Sequence, residues 1–347
     1  MQIIKSEKLI QMYILGIESS CDETSASVVE MTDTERSIRS NIVASQIDIH
    51  RLYGGVVPEI AGRAHIEAIS RITYEAIETA GISVSDISAV AVTTHPGLIG
   101  ALLVGVNFAK SFAYANGIPC VSVNHIHGHV AAAYLSDAEL KPPFLAVVVS
   151  GGHTSLYRVS DYTEFEEIGG TRDDAAGESF DKIGRVIGLP YPGGAALDKL
   201  AHEGDPQAIK FPSPALSGDT LDFSFSGIKT AALNIINSAN QKGIEINRAD
   251  LAASYTSAIV KAICKKVGMA IEKTGLRTVV LAGGVAANTH LRAALDELCA
   301  GKRVKLSMPD RALCGDNAAM IACEGYFEFV RGNVSDTSLN ASACDIM

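Results

Sequence analysis

The sequence predicts an α/β protein built as two similar lobes with a cleft between them. Three observations carry this. The 347 residues are 47% hydrophobic with 31 glycines and no tryptophan, enough for one large or two medium domains with a substantial core. A strand–turn–strand opening occurs twice, at "YILGIESSCDETSASVVEM" and "FLAVVVSGGHTSLYRVS". Each opening is followed by alternating strands and helices, a βαβ rhythm that implies parallel strands with helices packed on them.

In the first series, "YILGIESS" and "TSASVVEM" read as two strands around a polar turn. "VVPEIAGRAHIEAISRITYEAIETAG" has helical spacing and closes at Gly81. "ISAVAVTTHPG" is a strand ending in a loop, "LIGALLVGVNFAKSFAYANG" a small-residue helix capped by Gly117, and "IPCVSVN" a further strand. The second series begins after Lys141–Pro143. It holds the long helical stretch "LAASYTSAIVKAICKKVGMAIEKTG" and the strand–turn–helix "TVVLAGGVAANTHLRAALDELC". The last helix, "NAAMIACEGYFEFVRG", is expected to return to the first lobe. The expected division is 12–140 plus 311–333 for the first lobe and 141–310 for the second, with 1–11 and 334–347 as loose ends.

Composition narrows the function classes. With 29 Lys and Arg against 39 Asp and Glu, the net charge of −10 argues against a broad basic face that grips nucleic acid unaided. Cys21, Cys120, Cys264, Cys299, Cys314, Cys323 and Cys344 form no CxxC pattern and read as reduced thiols, consistent with a cytoplasmic protein. The opening "MQIIKSEKLIQMYILGIESS" lacks a signal-peptide h-region. No run approaches the roughly 18 apolar residues of a membrane span.

Chemistry concentrates at "VNHIHGHVAAAYL". His125 and His129, four apart, share one face of a helix, and His127 points elsewhere. A zincin protease needs glutamate where this chain has Ile126, so the protease reading lacks its base. The plain alternative is polar packing. Asp316 in "LCGDNAAM", at a helix start, is the candidate third ligand, its alternative role being a helix cap. Two histidines and a carboxylate leave open coordination positions on a metal.

Two strand-ending Gly-Gly turns, "VSGGHTS" and "LAGGVAAN", match neither the P-loop nor the dinucleotide fingerprint. Together with "YPGGAALDK" they suggest a nucleotide cleft, where backbone N–H groups approach a phosphate. Among the acids, Glu18, Asp22 and Glu23 lie in the first turn. Asp173 and Asp174 read as a solvated acidic turn, whereas Asp181 and Asp198 suit ribose hydroxyls. "HRLYGGVVPEIAGRAHIE", with Arg51, Pro58, Arg63 and His65, is either a docking surface or an amphipathic helix with its lead-in.

Ten stretches, in order from about residue 14 to 325, resemble one family: "GIESSCDETS", "YGGVVPEIAGRAH", "HPGLIGALLVG", "NHIHGH", "VVSGGHT", "GESFDKIGR", "YPGGAALDKLA", "FSFSGIKTA", "LAGGVAAN" and "CGDNAAMIA". They look like the TsaD family with its archaeal and eukaryotic counterparts, once described as glycoprotein endopeptidases. The resemblance implies the actin-like ATPase fold (ASKHA; sugar kinase, Hsp70, actin) with a central nucleotide cleft. It implies transfer of threonylcarbamoyl from threonylcarbamoyl-adenylate to the adenosine 3′ of the anticodon in tRNAs reading ANN codons.

By the same resemblance His125, His129 and Asp316 hold one divalent metal, iron ahead of zinc. Val149, Ser150, Gly151, Gly152 and His153 form the phosphate turn, where ATP or ADP can also sit. Asp181, Gly194, Asp198 and Asn288 hold the adenylate. Glu18 is a candidate base for the amine proton. The implied partners are tRNA, a smaller TsaB-type paralogue and a small TsaE-type P-loop ATPase, with no membrane and no DNA. The "HRLYGGVVPEIAGRAHIEAISRI" segment, with Ile60, Ala64, Ala68 and Ile72 as an apolar stripe, is the expected paralogue surface. An actin-like regulatory or chaperone protein without transferase activity is the alternative. A sugar kinase is a third reading, but it has no use for the histidine pair.

Overall fold

A strand with unbroken burial organises the first half of the chain. β1 (Met12–Glu18) is buried from Ile14 to Glu18 rather than on alternate residues. That pattern belongs to a strand covered on both faces. In the computed structural model, which describes residues 11–32, 35–213, 216 and 218–344, both faces are covered. On one side Leu15 and Ile17 pack with Ile69 and Ile77 of α2 (Pro58–Ala80) and with Val106 and Phe112 of α3 (Ile99–Asn116). On the other side α10 (Ala318–Val330) lies so close that a Cβ at Gly16 would stand 2.1 Å from the Ala318 carbonyl oxygen. Only glycine admits that approach.

β1 is the centre of a five-stranded sheet. β2 (Glu23–Met31) pairs with it antiparallel, from Met12↔Met31 to Glu18↔Ser25, and β3 (Arg36–Ser45) pairs antiparallel with β2 at the edge. β4 (Ile87–His95) and β5 (Cys120–Asn124) continue the sheet in parallel on the other side, giving the order β3-β2-β1-β4-β5. α4 (His125–Ser136) follows β5 directly.

The second sheet repeats this plan. β6 (Phe144–Val149) is its centre, with β7 (Thr154–Asp161) and β8 (Glu164–Gly170) antiparallel on one side. β9 (Thr278–Ala282) and β10 (Lys305–Ser307) are parallel on the other side, so the order is β10-β9-β6-β7-β8. Its helices are α5 (Ala176–Val186), α6 (Gly193–Ala201), α7 (Ser226–Lys242), α8 (Arg248–Thr274) and α9 (Thr289–Lys302). Leu145, Val147, Phe180, Phe225, Tyr255, Ile259 and Leu281 form its core. The two antiparallel–parallel sheets, identical in strand order, are the α/β plan expected from the two strand–turn–strand openings.

The chain divides into one unit of 1–45, 58–139 and 317–347, and a second of 46–57 and 140–316. Residues 46–57, read from sequence with the first lobe, cluster with the second. They include α1 (Ile47–Arg51), whose Arg51 donates from Nε to the Tyr191 carbonyl at 3.4 Å, while Arg185 donates to the Gly54 carbonyl at 3.5 Å. Residues 311–316 also fall in the second unit.

Part of the expected loose C-terminal end is tied down. Ser335 bridges Cys120, the Ser342 N–H donates to the Thr94 carbonyl at 2.9 Å, and Lys110 Nζ donates to the Leu339 carbonyl at 2.7 Å. Leu339 and Ala341 pack on the first core, which is why polar composition misled there. Residues 1–10, within the other expected loose end, lie outside the described residues. Among the described residues, no helix is long and apolar enough to cross a membrane, and the seven cysteines are unbridged.

Candidate functional site

The histidine pair sits where β5 becomes a helix. Asn124 caps α4, its Oδ1 accepting from the Ile126 N–H at 2.7 Å and the His127 N–H at 3.4 Å. This starts the helix at His125 and puts His129 one turn on, with ring centroids 4.6 Å apart at 71°. Both are buried, at 7% and 1% exposure. Gly128 lets α10 close over this helix, since a Cβ there would stand 2.6 Å from Ile321 Cδ1.

Asp316 immediately precedes Asn317, and Asn317 is the residue that caps α10, accepting from the Met320 N–H at 3.1 Å. The cap role considered for Asp316 therefore belongs to its neighbour. One ligand atom each from His125, His129 and Asp316 lie within 4.8 Å of one another. Two nearly buried imidazoles and a carboxylate fit a divalent metal in their donor chemistry.

Glu18, at the end of β1, is fully buried. Its Oε2 lies 3.0 Å from His125 Nδ1 and accepts from Thr93 Oγ1 at 2.6 Å, while Oε1 accepts from the Ser20 N–H at 2.5 Å. Ser20 Oγ is also 3.2 Å from His125 Nδ1. With Nδ1 so engaged, Nε2 is the ligand atom His125 would offer. Ser20 and Thr93 were not singled out from sequence, because serine and threonine carry no motif of their own.

His127 faces away from the pair, its Nδ1 4.0 Å from Glu324 Oε1 on α10. Burial, aided by nearby His95, pushes its pKa down to about 3. Burial likewise raises the Glu324 carboxyl well above the usual range, with Glu328 adding to it.

The glycine turns occupy the second unit. β6 ends at Val149 and β9 at Ala282, and the strands are parallel neighbours paired Val148↔Ala282. Both turns therefore leave the carboxyl ends of adjacent strands, where open α/β sheets bind ligands. They touch, because Gly283, at φ +91°, brings its Cα to a point where a Cβ would meet the Val149 carbonyl oxygen at 2.5 Å. In the first turn Ser150 N–H donates to the His153 carbonyl at 2.8 Å, and His153 N–H to Ser150 Oγ at 3.1 Å. The N–H groups of Gly177 and Glu178, in the first turn of α5, are taken by the carbonyls of Ser150 and Gly151 at 3.2 and 3.1 Å. Gly151 and Gly152 are exposed, and an added Cβ on either meets open space.

Asp181 on α5 accepts from the Gly194 N–H at 2.7 Å. Asp198 stands four residues after Gly194 on α6, so both share one helix face. It accepts from the Thr289 N–H at 3.1 Å and lies 2.8 Å from His290 Nδ1. Asn288, 8% exposed, caps α9 through the Leu291 N–H at 2.8 Å. Asp181, Asp198 and the glycine turns thus gather around α5, α6 and the start of α9.

Three readings need correction. Asp173 is exposed and Asp174 half-buried, but they are more than a solvated turn, because both carboxylates are engaged. Asp173 accepts from Ser224 Oγ, the Phe225 N–H and Ser226 Oγ at 2.5, 2.8 and 2.7 Å. Partial burial raises its pKa, but these bonds outweigh it and hold the carboxyl below the ordinary range. Asp174 binds Lys182 at 3.2 Å and also Lys229, so together they anchor the start of α7. His65 is no docking residue: it is fully buried, 2.8 Å from Thr24 Oγ1 and 2.9 Å from the Cys21 carbonyl. Ile72 is equally buried and packs with Ala26 and Ala76, whereas Ile60, Ala64 and Ala68 are half-buried.

The chain is 52% identical over 328 residues to the tRNA N6-adenosine threonylcarbamoyltransferase of Clostridium perfringens, covering 94% of this chain and 96% of that one. It is 52% identical over 331 residues to the enzyme of the same name from Clostridium novyi, with the same coverage. Its fold resembles HypF of T. kodakarensis, with a TM-score of 0.64 at 13% identity, covering 95% of this chain and 50% of that one. It also resembles component A of the Acidaminococcus fermentans (R)-2-hydroxyglutaryl-CoA dehydratase, with a TM-score of 0.53 at 17% identity over 92% and 99% of the chains. These neighbours place the chain in the actin-like ATPase fold. The family TsaD, described as tRNA N6-adenosine threonylcarbamoyltransferase, matches residues 37–323, and this chain belongs to it.

Proposed function

We propose that the chain transfers threonylcarbamoyl from threonylcarbamoyl-adenylate to the exocyclic amine of the adenosine 3′ of the anticodon in tRNAs reading ANN codons. The observation that carries this reading is the identity above, joined to a His125–His129–Asp316 donor set within 4.8 Å. The donor is a mixed anhydride and already activated, so the chain's task is to hold it and place the amine against the carbamoyl carbon.

In this reading the backbone of Val149–His153 receives the phosphate of the adenylate, or of ATP or ADP. Asp181 and Asp198 receive the ribose hydroxyls, flanked by Gly194 and Asn288. His125, His129 and Asp316 would hold one divalent metal, iron ahead of zinc, because two imidazoles, a carboxylate and open positions are the usual ligand set of non-haem iron(II). When bound, that metal supplies Lewis-acid polarisation and a template for the donor's oxygens.

Glu18 orients His125 rather than taking the amine proton. Both of its oxygens already accept hydrogen bonds, and it is fully buried. A carboxylate held this way fixes the tautomer and direction of a metal-binding imidazole.

The excess of 39 acids over 29 bases favours help in holding tRNA. A TsaB-type paralogue on the α2 surface around Ile60 and Ala64, and a TsaE-type ATPase, are the proposed cytoplasmic partners. Ile60→Asp with Ala64→Asp should abolish the paralogue complex on size exclusion; persistence of the complex places the interface elsewhere. For the activity, purified chain, partners, synthetic threonylcarbamoyl-adenylate and unmodified tRNA are combined, and nucleosides are read by mass spectrometry. Modified adenosine is the expected product. Its absence with metal-loaded, folded components overturns the reading.

A further inference from the structure

A second group of metal-ligating side chains stands apart from the histidine pair. One ligand atom each from Asp198, His202 and His290 lie within 4.8 Å of one another. They come from α6, the residue that ends it, and the first turn of α9, so no local pattern in the sequence joins them. The imidazoles of His202 and His290 face each other, with centroids 4.2 Å apart and planes tilted 31°. Asp198 is 13% and His290 30% exposed at the side chain, and His202 lies open to solvent.

The surroundings suit a cation better than an ion pair. Among the described residues Asp198 has no Lys or Arg partner, its only salt-bridge contact being His290 Nδ1 at 2.8 Å. Asp174 shows the contrast, since its carboxylate is taken by Lys182 and Lys229. His202 Nε2 is held by Thr289 Oγ1 at 2.7 Å, and the same hydroxyl donates to Asp198 at 3.0 Å. This one threonine therefore holds two members of the group beside the third.

We propose that Asp198, His202 and His290 bind a second divalent metal of the zinc class. Ligand atoms about 2.1 Å from a tetrahedral zinc stand about 3.4 Å apart. From separations of up to 4.8 Å the group must contract by at most about 1.4 Å, which exposed His202 can supply by rotamer change. Three protein ligands leave a fourth tetrahedral position open to water or an anion. Asp198 is also the residue assigned above to the ribose, so metal and ribose exclude each other there; the site itself does not depend on that assignment.

Metal-free full-length protein, without nucleotide, is dialysed against buffered Zn²⁺ and its zinc content is measured. The wild type is expected to hold two equivalents. His202→Ala with His290→Ala should hold one fewer, and His125→Ala with His129→Ala should retain the equivalent at Asp198. His202→Ala alone changes an exposed side chain and should weaken that equivalent about 10–100-fold, which keeps the test valid if the double variant misfolds. Zinc content and affinity unchanged from wild type in the His202 and His290 variants overturn the proposal. If only the His125/His129 variant keeps full zinc, the metal assignment of the preceding section fails and this one stands.

Discussion

Glu18 Oε2 lies 3.0 Å from His125 Nδ1, joining the last residue of β1 to the first residue of α4. The contact crosses 107 residues of sequence and spans two sheet strands, because Thr93 of β4 also donates to the same oxygen. Glu18→Gln keeps the shape and removes the charge. Metal affinity, measured by chelator competition, should fall about 10–100-fold. Unchanged affinity with lost transfer would return Glu18 to the role of base.

Gly151→Val tests the phosphate turn cleanly. A Cβ at this exposed position meets no atom within 4 Å, so the variant should unfold at the same denaturant concentration as wild type. The side chain would stand where a phosphate must approach the backbone. Calorimetry should show adenine-nucleotide affinity lost, and wild-type affinity would count against the turn.

Gly283→Ala should do the opposite. Its φ of +91° and the 2.5 Å approach to the Val149 carbonyl both exclude a side chain. The change should cost about 1–3 kcal/mol of stability, read by urea unfolding. No loss would mean that the two turns separate without cost.

Glu324 gives a pH-dependent signature. It is fully buried, and neither carboxyl oxygen meets a hydrogen-bond donor among the described residues. Its folded pKa is raised well above 4.5, chiefly by burial. Above about pH 4.5 the unfolded chain releases this proton while the folded chain keeps it, so stability declines as pH rises until the folded pKa is reached. Glu324→Gln removes that decline. Its stability relative to wild type should grow as pH rises above about 4.5, by up to about 1.4 kcal/mol per pH unit, until the folded pKa is reached. A pH-independent difference would show that Glu324 ionises in the fold.

Features carried by one element were legible in the sequence. The His125/His129 spacing, the strand-ending glycine pairs and the caps at Gly81 and Gly117 each sit within a few residues, and local backbone geometry decides them. Both Gly81 and Gly117 adopt the left-handed conformation, at φ +70° and +66°. The doubled strand–turn–strand opening likewise determined two sheets of one plan. Features that depend on what packs against a residue were not legible. Polar composition could not reveal that Leu339 and Ala341 cover a core, or that His65 and Ile72 face inward. Nothing local told Asp316 from Asn317 as the cap of α10. Asp198 and His290, 92 residues apart, meet only because α6 and α9 are brought together. Burial and long-range contact are properties of the assembled sheets and helices, so tertiary structure alone decided them.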